Sequence, residues 1–234
     1  MAAGKGSRMR SNLPKPLVPL AGKPLVKHLL ESISDAGIAN KVVVVGHDAQ
    51  RMRSALGPGV TTALQSVLSG TATAVEAAQD ATGTATEIMV TVGDSPLLSP
   101  ASISRLLKVH RETDAACSFL TAHFGQHYPY GRVLRGADGK VVGCVEERSA
   151  TPQQSKIREY LSSHYVFRAE SLWNFLPRIA AHPESQERYL TDIITLLVQA
   201  GERVEAVVID DWRELVGLNT PEDLAWATEV LNGR

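Results

Sequence analysis

The 234-residue sequence has only two cysteines, Cys117 and Cys144, and aromatic residues make up 5% of it. Two thiols cannot build the disulfide framework of a small secreted domain, so both read as buried thiols. No apolar run reaches the roughly 20 residues that span a bilayer, and no signal peptide precedes the first motif. With 24 Lys and Arg against 25 Asp and Glu, the formal net charge is -1. That balance gives no electrostatic case for a nucleic-acid or membrane partner. The seven histidines show no metal-ligand spacing; His123 and His127 are four apart, but in a segment without a helical frame, and read as structural. What remains is 44% hydrophobic and 21% charged, the composition of a globular, cytoplasmic protein large enough to bury a sizeable core.

The chain's first residues carry the strongest signal. Residues 2–15 read AAGKGSRMRSNLPK. Gly4 and Gly6 let main-chain N–H groups approach phosphate oxygens without a Cβ in the way, and Ala2 and Ala3 keep the approach small. Arg8 and Lys15 bring positive charge to oxygens that grow more negative during phosphoryl or nucleotidyl transfer. The segment is neither a Walker loop nor a G-x-G-x-x-G dinucleotide fingerprint.

Apolar runs alternate with helical patterns, which predicts an α/β fold: a Rossmann-like, mixed and mostly parallel sheet flanked by helices. Val42–Val45 reads as a buried strand ending at Gly46, and Glu87 to Val92 as another ending at Gly93-Asp94. Gly70 to Gln79 is helix-compatible. Ser99-Pro100 and Thr220-Pro221 are helix starts, with a hydroxyl cap before a proline in the first turn. From about residue 114 the pattern changes to hairpins, with Asp138-Gly139 as a tight turn between residues 132–134 and 141–145. The chain therefore reads as one domain, 1–234, with a first half (1–113) that carries the glycine loop and a β-rich second half (114–234). The start is anomalous. A phosphate loop of this kind is launched from a buried central strand, yet only Met1 and Ala2 precede it, so the first strand reads as truncated and its neighbours' backbone groups should lack partners.

The run AAGKGSRM…LPKPLVPLAGKPLVKH resembles the signature of sugar-1-phosphate nucleotidyltransferases. LSGTATAV (68–75), GDSPLL (93–98), YGRV (130–133), GKVVGCVEERSAT (139–151) and YLTDII (189–194) narrow it. In this order they resemble the uridylyltransferase domain of bacterial N-acetylglucosamine-1-phosphate uridylyltransferases, without the hexapeptide repeats of the acetyltransferase domain that often follows. The resemblance implies UTP and a sugar 1-phosphate as partners, Mg²⁺ as cofactor, and no nucleic acid or membrane. Loss of the repeats leaves monomer or homo-dimer open.

Residue by residue, Arg8 and Lys15 become the catalytic cations. Asp94 and Asn219 become the metal ligands, Asp94 as a carboxylate at a strand's carboxyl end. Ala2, Ala3, Gly4, Gly6, Gln65, Gly70 and Thr71 line the nucleotide side, the Gln65 amide suiting a base edge. Gly131 and Glu146 line the sugar side. Asp192 reads as a helix cap or a ligand contact. Three positions depart from the pattern: Leu68 stands where a second glutamine is usual, Leu161 where an amide contacts the sugar, and Val92 where a tyrosine is common. Methylerythritol-phosphate cytidylyltransferases share AAGxGxRM but typically have Gln at Pro16, and molybdopterin nucleotidyltransferases lack LPKPLVPLAGKP. Another sugar 1-phosphate or nucleotide, or a non-catalytic nucleotide-binding regulatory module, completes the alternatives.

Overall fold

In the computed structural model, which describes residues 1–4 and 6–233, the glycine-rich start leads into a two-residue hairpin. Its strands are β1 (Pro19–Leu20) and β2 (Lys23–Pro24), turned by Ala21 and Gly22 at positive φ. Helix α1 (Leu25–Asp35) follows, because Leu25, Val26, Leu29 and Ile33 fall on one face and are buried there. The four valines form β3 (Val42–Val45), as their β-branching predicts. After α2 (Ala49–Leu56), β4 (Thr61–Leu64) pairs with β3 in parallel. Helices α3 (Thr71–Glu76) and α4 (Gln79–Thr82) lead to β5 (Glu87–Val90), two residues shorter than the apolar run suggests. Helix α5 (Pro100–Thr113) starts as expected: Ser99 Oγ accepts from the Ser102 N–H at 3.1 Å.

The second half supplies β6 (Cys117–His123), the hairpin β7 (Gly131–Arg135) and β8 (Val141–Val145), and the ten-residue β9 (Glu159–Arg168). Then come α6 (Ala169–Phe175), α7 (Asp192–Gln199), β10 (Val204–Val208) and α8 (Pro221–Asn232). A capping box starts α8: Thr220 Oγ1 accepts from the Asp223 N–H while Asp223 accepts from the Thr220 N–H. The result is a mixed sheet flanked by helices. Strand β9 organises it, pairing antiparallel with β6 along one edge and with β5 and β7 along the other; β10 joins β6 in parallel. Between Phe119 and Thr121 of β6 the register against β9 shifts, and Ser163 in the bulge takes φ 62.

Two cores form on the two faces of this sheet. One packs Leu25, Ile103, Leu106 and Leu120; the other packs Phe119, Tyr165, Phe167, Leu190 and Ile193. Truncating one of these fully buried leucines to alanine costs ~2–5 kcal/mol.

Between β3 and β5 lies the chain's own start. Met1 N donates to Thr91 O at 2.6 Å and Met1 O accepts from the Gly93 N–H at 2.8 Å. On the other side Ala2 N donates to Val44 O at 2.8 Å, and Ala3 O accepts from His47 N at 3.0 Å. This is the parallel pattern. So Met1–Ala3 act as a seam at the position expected of the first strand, and at this level the neighbouring strands do have partners. Behind Met1 the seam stops. Among the described residues β3 pairs otherwise only with β4, and β5 only with β9. A cavity of about 530 Å³ opens there, lined by Val26, Ile33, Val42, Val75, Met89 and Trp173 among others.

Candidate active site

The seam delivers the glycine loop directly into a cleft of about 500 Å³ at the carboxyl ends of β3 and β5. Gly6 sits at φ 62, and a Cβ there would overlap the Lys15 stem, so the turn needs glycine. A turn of 3-10 helix then carries Arg8, and a second, after Pro14, carries Lys15.

These two cations meet the predicted metal ligands. Lys15 Nζ forms an ion pair with Asp94 and donates to Asn219 Oδ1 at 2.7 Å; Arg8 Nη2 donates to the same oxygen at 2.9 Å. Asn219 Nδ2 donates to Gly217 O at 2.7 Å, which fixes the amide's orientation, and its own N–H donates to Asp223 Oδ2. The Leu218 N–H donates to Asp94 O, and the Gly217 N–H to the Tyr130 hydroxyl. Four segments far apart in sequence thus converge on one Lys–Asp–Asn constellation.

The loop from Gln65 to Thr71 forms another part of the lining. Gln65 is buried, and its Nε2 donates to Gly70 O at 3.0 Å and to Thr73 Oγ1 at 2.8 Å. Gly70 has φ 109, and a Cβ there would collide with the Arg188 backbone. Thr71 Oγ1 accepts from the Leu190 N–H at 2.8 Å. Leu68, half exposed, and Val92 line the cleft too, so two of the three departures from the family pattern face the ligand space.

All eleven predicted residues on the nucleotide and metal side line this cleft: Ala2, Ala3, Gly4, Gly6, Arg8, Lys15, Gln65, Gly70, Thr71, Asp94 and Asn219. Gly131 and Glu146 do not. They lie beyond it, against Thr191: the Thr191 hydroxyl donates to Glu146 Oε1 at 2.5 Å, and a Cβ on Gly131 would touch the Thr191 methyl. Burial raises the proton affinity of Glu146 above the usual carboxylate range. Leu161 is buried beside Gly131.

Glu187 and Tyr189 line the cleft and escaped the sequence reading, although Tyr189 opens the quoted YLTDII run. Asp192 is the first residue of α7 and does not line this cleft; its carboxylate meets His182 Nε2 at 3.0 Å. The turn after Glu146 is held by Arg132, fully buried and paired with Glu147 at 2.5 Å; His127, read as structural, joins them at 3.1 Å from Glu147. Both cysteines are free and buried, and no helix among the described residues is long and apolar enough to cross a membrane.

Comparison with known proteins accords with this geometry. A family profile described as the MobA-like NTP transferase domain matches residues 1–200. The chain is 42% identical over 242 residues to the bifunctional protein GlmU of Kineococcus radiotolerans and 37% identical over 235 residues to that of Exiguobacterium sibiricum. It is 38% identical over 235 residues to that of Heliobacterium modesticaldum. Each alignment covers all of this chain but 48%, 52% and 51% of the respective relative, so the chain spans about half the length of these curated relatives. With the phosphate loop, the paired cations and the Asp–Asn oxygens gathered in one cleft, the chain belongs to the MobA-like NTP transferase domain family and is a nucleotidyltransferase.

Proposed function

We propose that the protein transfers UMP from UTP to a sugar 1-phosphate, N-acetylglucosamine 1-phosphate first among them, with release of pyrophosphate. The observation that carries this reading is the Lys15 ammonium seated between Asp94 and Asn219 at the mouth of the glycine loop. The acceptor phosphate is already anionic, so the reaction needs no protein nucleophile; it needs positioning and charge stabilisation. Arg8 and the amides of the glycine loop would hold the departing pyrophosphate. Lys15 would neutralise the α-phosphate and the incoming oxygen. The Gln65 nitrogen is already committed to the Gly70–Thr73 turn, which leaves its carbonyl oxygen to accept from the imide N–H of uracil. Gly131 and Glu146 would take the sugar.

Asp94 and Asn219 each offer an oxygen to the Lys15 position, so the two hard donors lie within reach of a single cation. That donor chemistry fits Mg²⁺, which takes one or two protein oxygens and completes its shell with phosphate oxygens and water. Held by Asp94 and Asn219, the ion would supply positive charge that offsets that of the phosphates. A division into a nucleotide half (1–113) and a sugar half (114–234), a cytoplasmic setting, and a monomer or homo-dimer belong to the same reading. Buried Leu161, standing where an amide is usual, favours a second reading in which the acceptor is a different sugar 1-phosphate.

Pyrophosphate release with UTP, Mg²⁺ and a panel of sugar 1-phosphates tests both. Turnover with N-acetylglucosamine 1-phosphate supports the first reading, and turnover only with another sugar the second. UTP binding without turnover on any acceptor refutes both and leaves a nucleotide-binding module.

A further inference from the structure

Thr191 does not line the cleft that holds the glycine loop, yet its side chain bonds one residue assigned to the acceptor sugar and faces the other. Its hydroxyl donates to Glu146 Oε1 at 2.5 Å, and its methyl lies 3.4 Å from where a Cβ on Gly131 would sit. The residue is 2% exposed and its Oγ1 also lies 3.3 Å from the buried Tyr165 hydroxyl. Its backbone is equally fixed: the preceding N–H, that of Leu190, donates to Thr71 Oγ1 at 2.8 Å, and Thr71 is on the wall of the nucleotide cleft. A buried β-branched side chain, stiff at χ1 and held by two polar partners, restricts the orientation of what it bonds.

Resting on the acceptor-site reading above, we propose that Thr191 is the positioning residue of the acceptor site: its hydroxyl holds the Glu146 carboxylate in one orientation, so that Glu146 accepts hydrogen bonds from sugar hydroxyls. The charge environment makes the role necessary. Burial and the Asp192 carboxylate push Glu146 toward its neutral form, while the Thr191 hydrogen bond, then His182 and Arg132, pull it back. Tyr165 and Cys144 also face it, both held neutral by burial. A neutral carboxyl would offer one acceptor oxygen fewer to the sugar.

Thr191→Val removes the hydroxyl at constant shape; Thr191→Ser keeps it. A hydrogen bond to a charged group corresponds to about tenfold or more in affinity. For Thr191→Val the acceptor KM should therefore rise about tenfold, with kcat and the KM for UTP within about threefold of wild type. Thr191→Ser should return the acceptor KM to within about threefold. The acid limb of kcat/KM for the acceptor should move to higher pH in Thr191→Val, because the bond that lowers the proton affinity of Glu146 is gone. His182→Gln controls for the neighbouring imidazole: a limb that moves only in that variant overturns the proposal.

A readout independent of turnover is the carboxyl ¹³C titration of Glu146 in glutamate-labelled protein, assigned with Glu146→Gln. It should move to higher pH in Thr191→Val and return in Thr191→Ser. If wild type uses no sugar 1-phosphate while this titration moves as stated, the functional reading fails and the Thr191–Glu146 link stands. If wild type turns over and neither the acceptor KM nor the titration changes in Thr191→Val, the proposal is wrong.

Discussion

Replacing Lys15 by alanine tests the assigned chemistry most directly. The ammonium is 12% exposed and reaches the Asp94 carboxylate and the Asn219 amide oxygen from one position. Two unit charges about 4 Å apart at an effective dielectric near 20 interact by about 4 kcal/mol. Only part of a unit charge develops on the transferring phosphoryl oxygens, so ~2–4 kcal/mol of transition-state stabilisation is at stake. At about 1.4 kcal/mol per decade that is a loss of roughly 30- to 1,000-fold in kcat. Folding should suffer far less, because the same pair sits at the edge of a cleft where ion pairs contribute about 1 kcal/mol or less. The expected thermal shift is below about 4 °C. Continuous pyrophosphate release at saturating UTP and acceptor gives kcat, and circular dichroism gives Tm. Lys15→Arg should not restore the rate, since a planar guanidinium cannot sit between two oxygens as a compact ammonium does. A Lys15→Ala enzyme turning over within fivefold of wild type at unchanged Tm would refute the argument.

Three other outcomes are expected. Gln65→Glu turns a twice-used donor into an acceptor facing Gly70 O and Thr73 Oγ1, so UTP affinity by calorimetry should fall at least about tenfold; an unchanged Kd contradicts the base-side assignment. Burial holds the pKa of His164 near about 4 against an ordinary 6.5, so below pH 6.5 the unfolded chain binds a proton that the folded one refuses. The associated stability is full above pH 6.5 and falls by ~3 kcal/mol toward pH 4. Urea unfolding of His164→Val should show a flatter slope in that window, and an identical slope would show that another group titrates. Last, a four-residue valine- and isoleucine-rich extension ahead of Met1 should enter the cavity between β3 and β5 and raise Tm by several degrees. No change in Tm would mean that the cavity does not accept a strand.

The glycine turn at Gly6, the helix caps at Ser99 and Thr220 and the 131–145 hairpin could be read directly, because each rests on a local rule: glycine at positive φ, a hydroxyl before a proline, a tight turn between β-formers. The longest strand, β9, could not. Its run EYLSSHYVFR is buried on both faces, so polar and apolar residues do not alternate. Several of its polar groups find partners distant in sequence: Glu159 in Arg135 and Thr121, and His164 Nδ1 in Thr91. Arg132 is hidden for the same reason, since nothing local shows that the Arg of YGRV is buried against Glu147. Lys15, Asp94 and Asn219 could be named one by one. That they share one point in space depends on the Tyr130–Gly217 and Asp94–Leu218 bonds, which only tertiary packing creates.

The seam makes the phosphate loop a mechanical element as well as a binding one. Four backbone hydrogen bonds, two to each side, tie Met1–Ala3 to β3 and to the end of β5, and the glycine loop that follows lines the cleft. Tension on Gly4 is thus transmitted within three residues to both Val44 O and Thr91 O. On the proposed reading, a phosphate held at the loop would tighten the join between the two parts of the sheet, and the amides of Ala2 and Gly93, one on each flank, would be gauges of that load. Their exchange with solvent would slow together when the cleft fills.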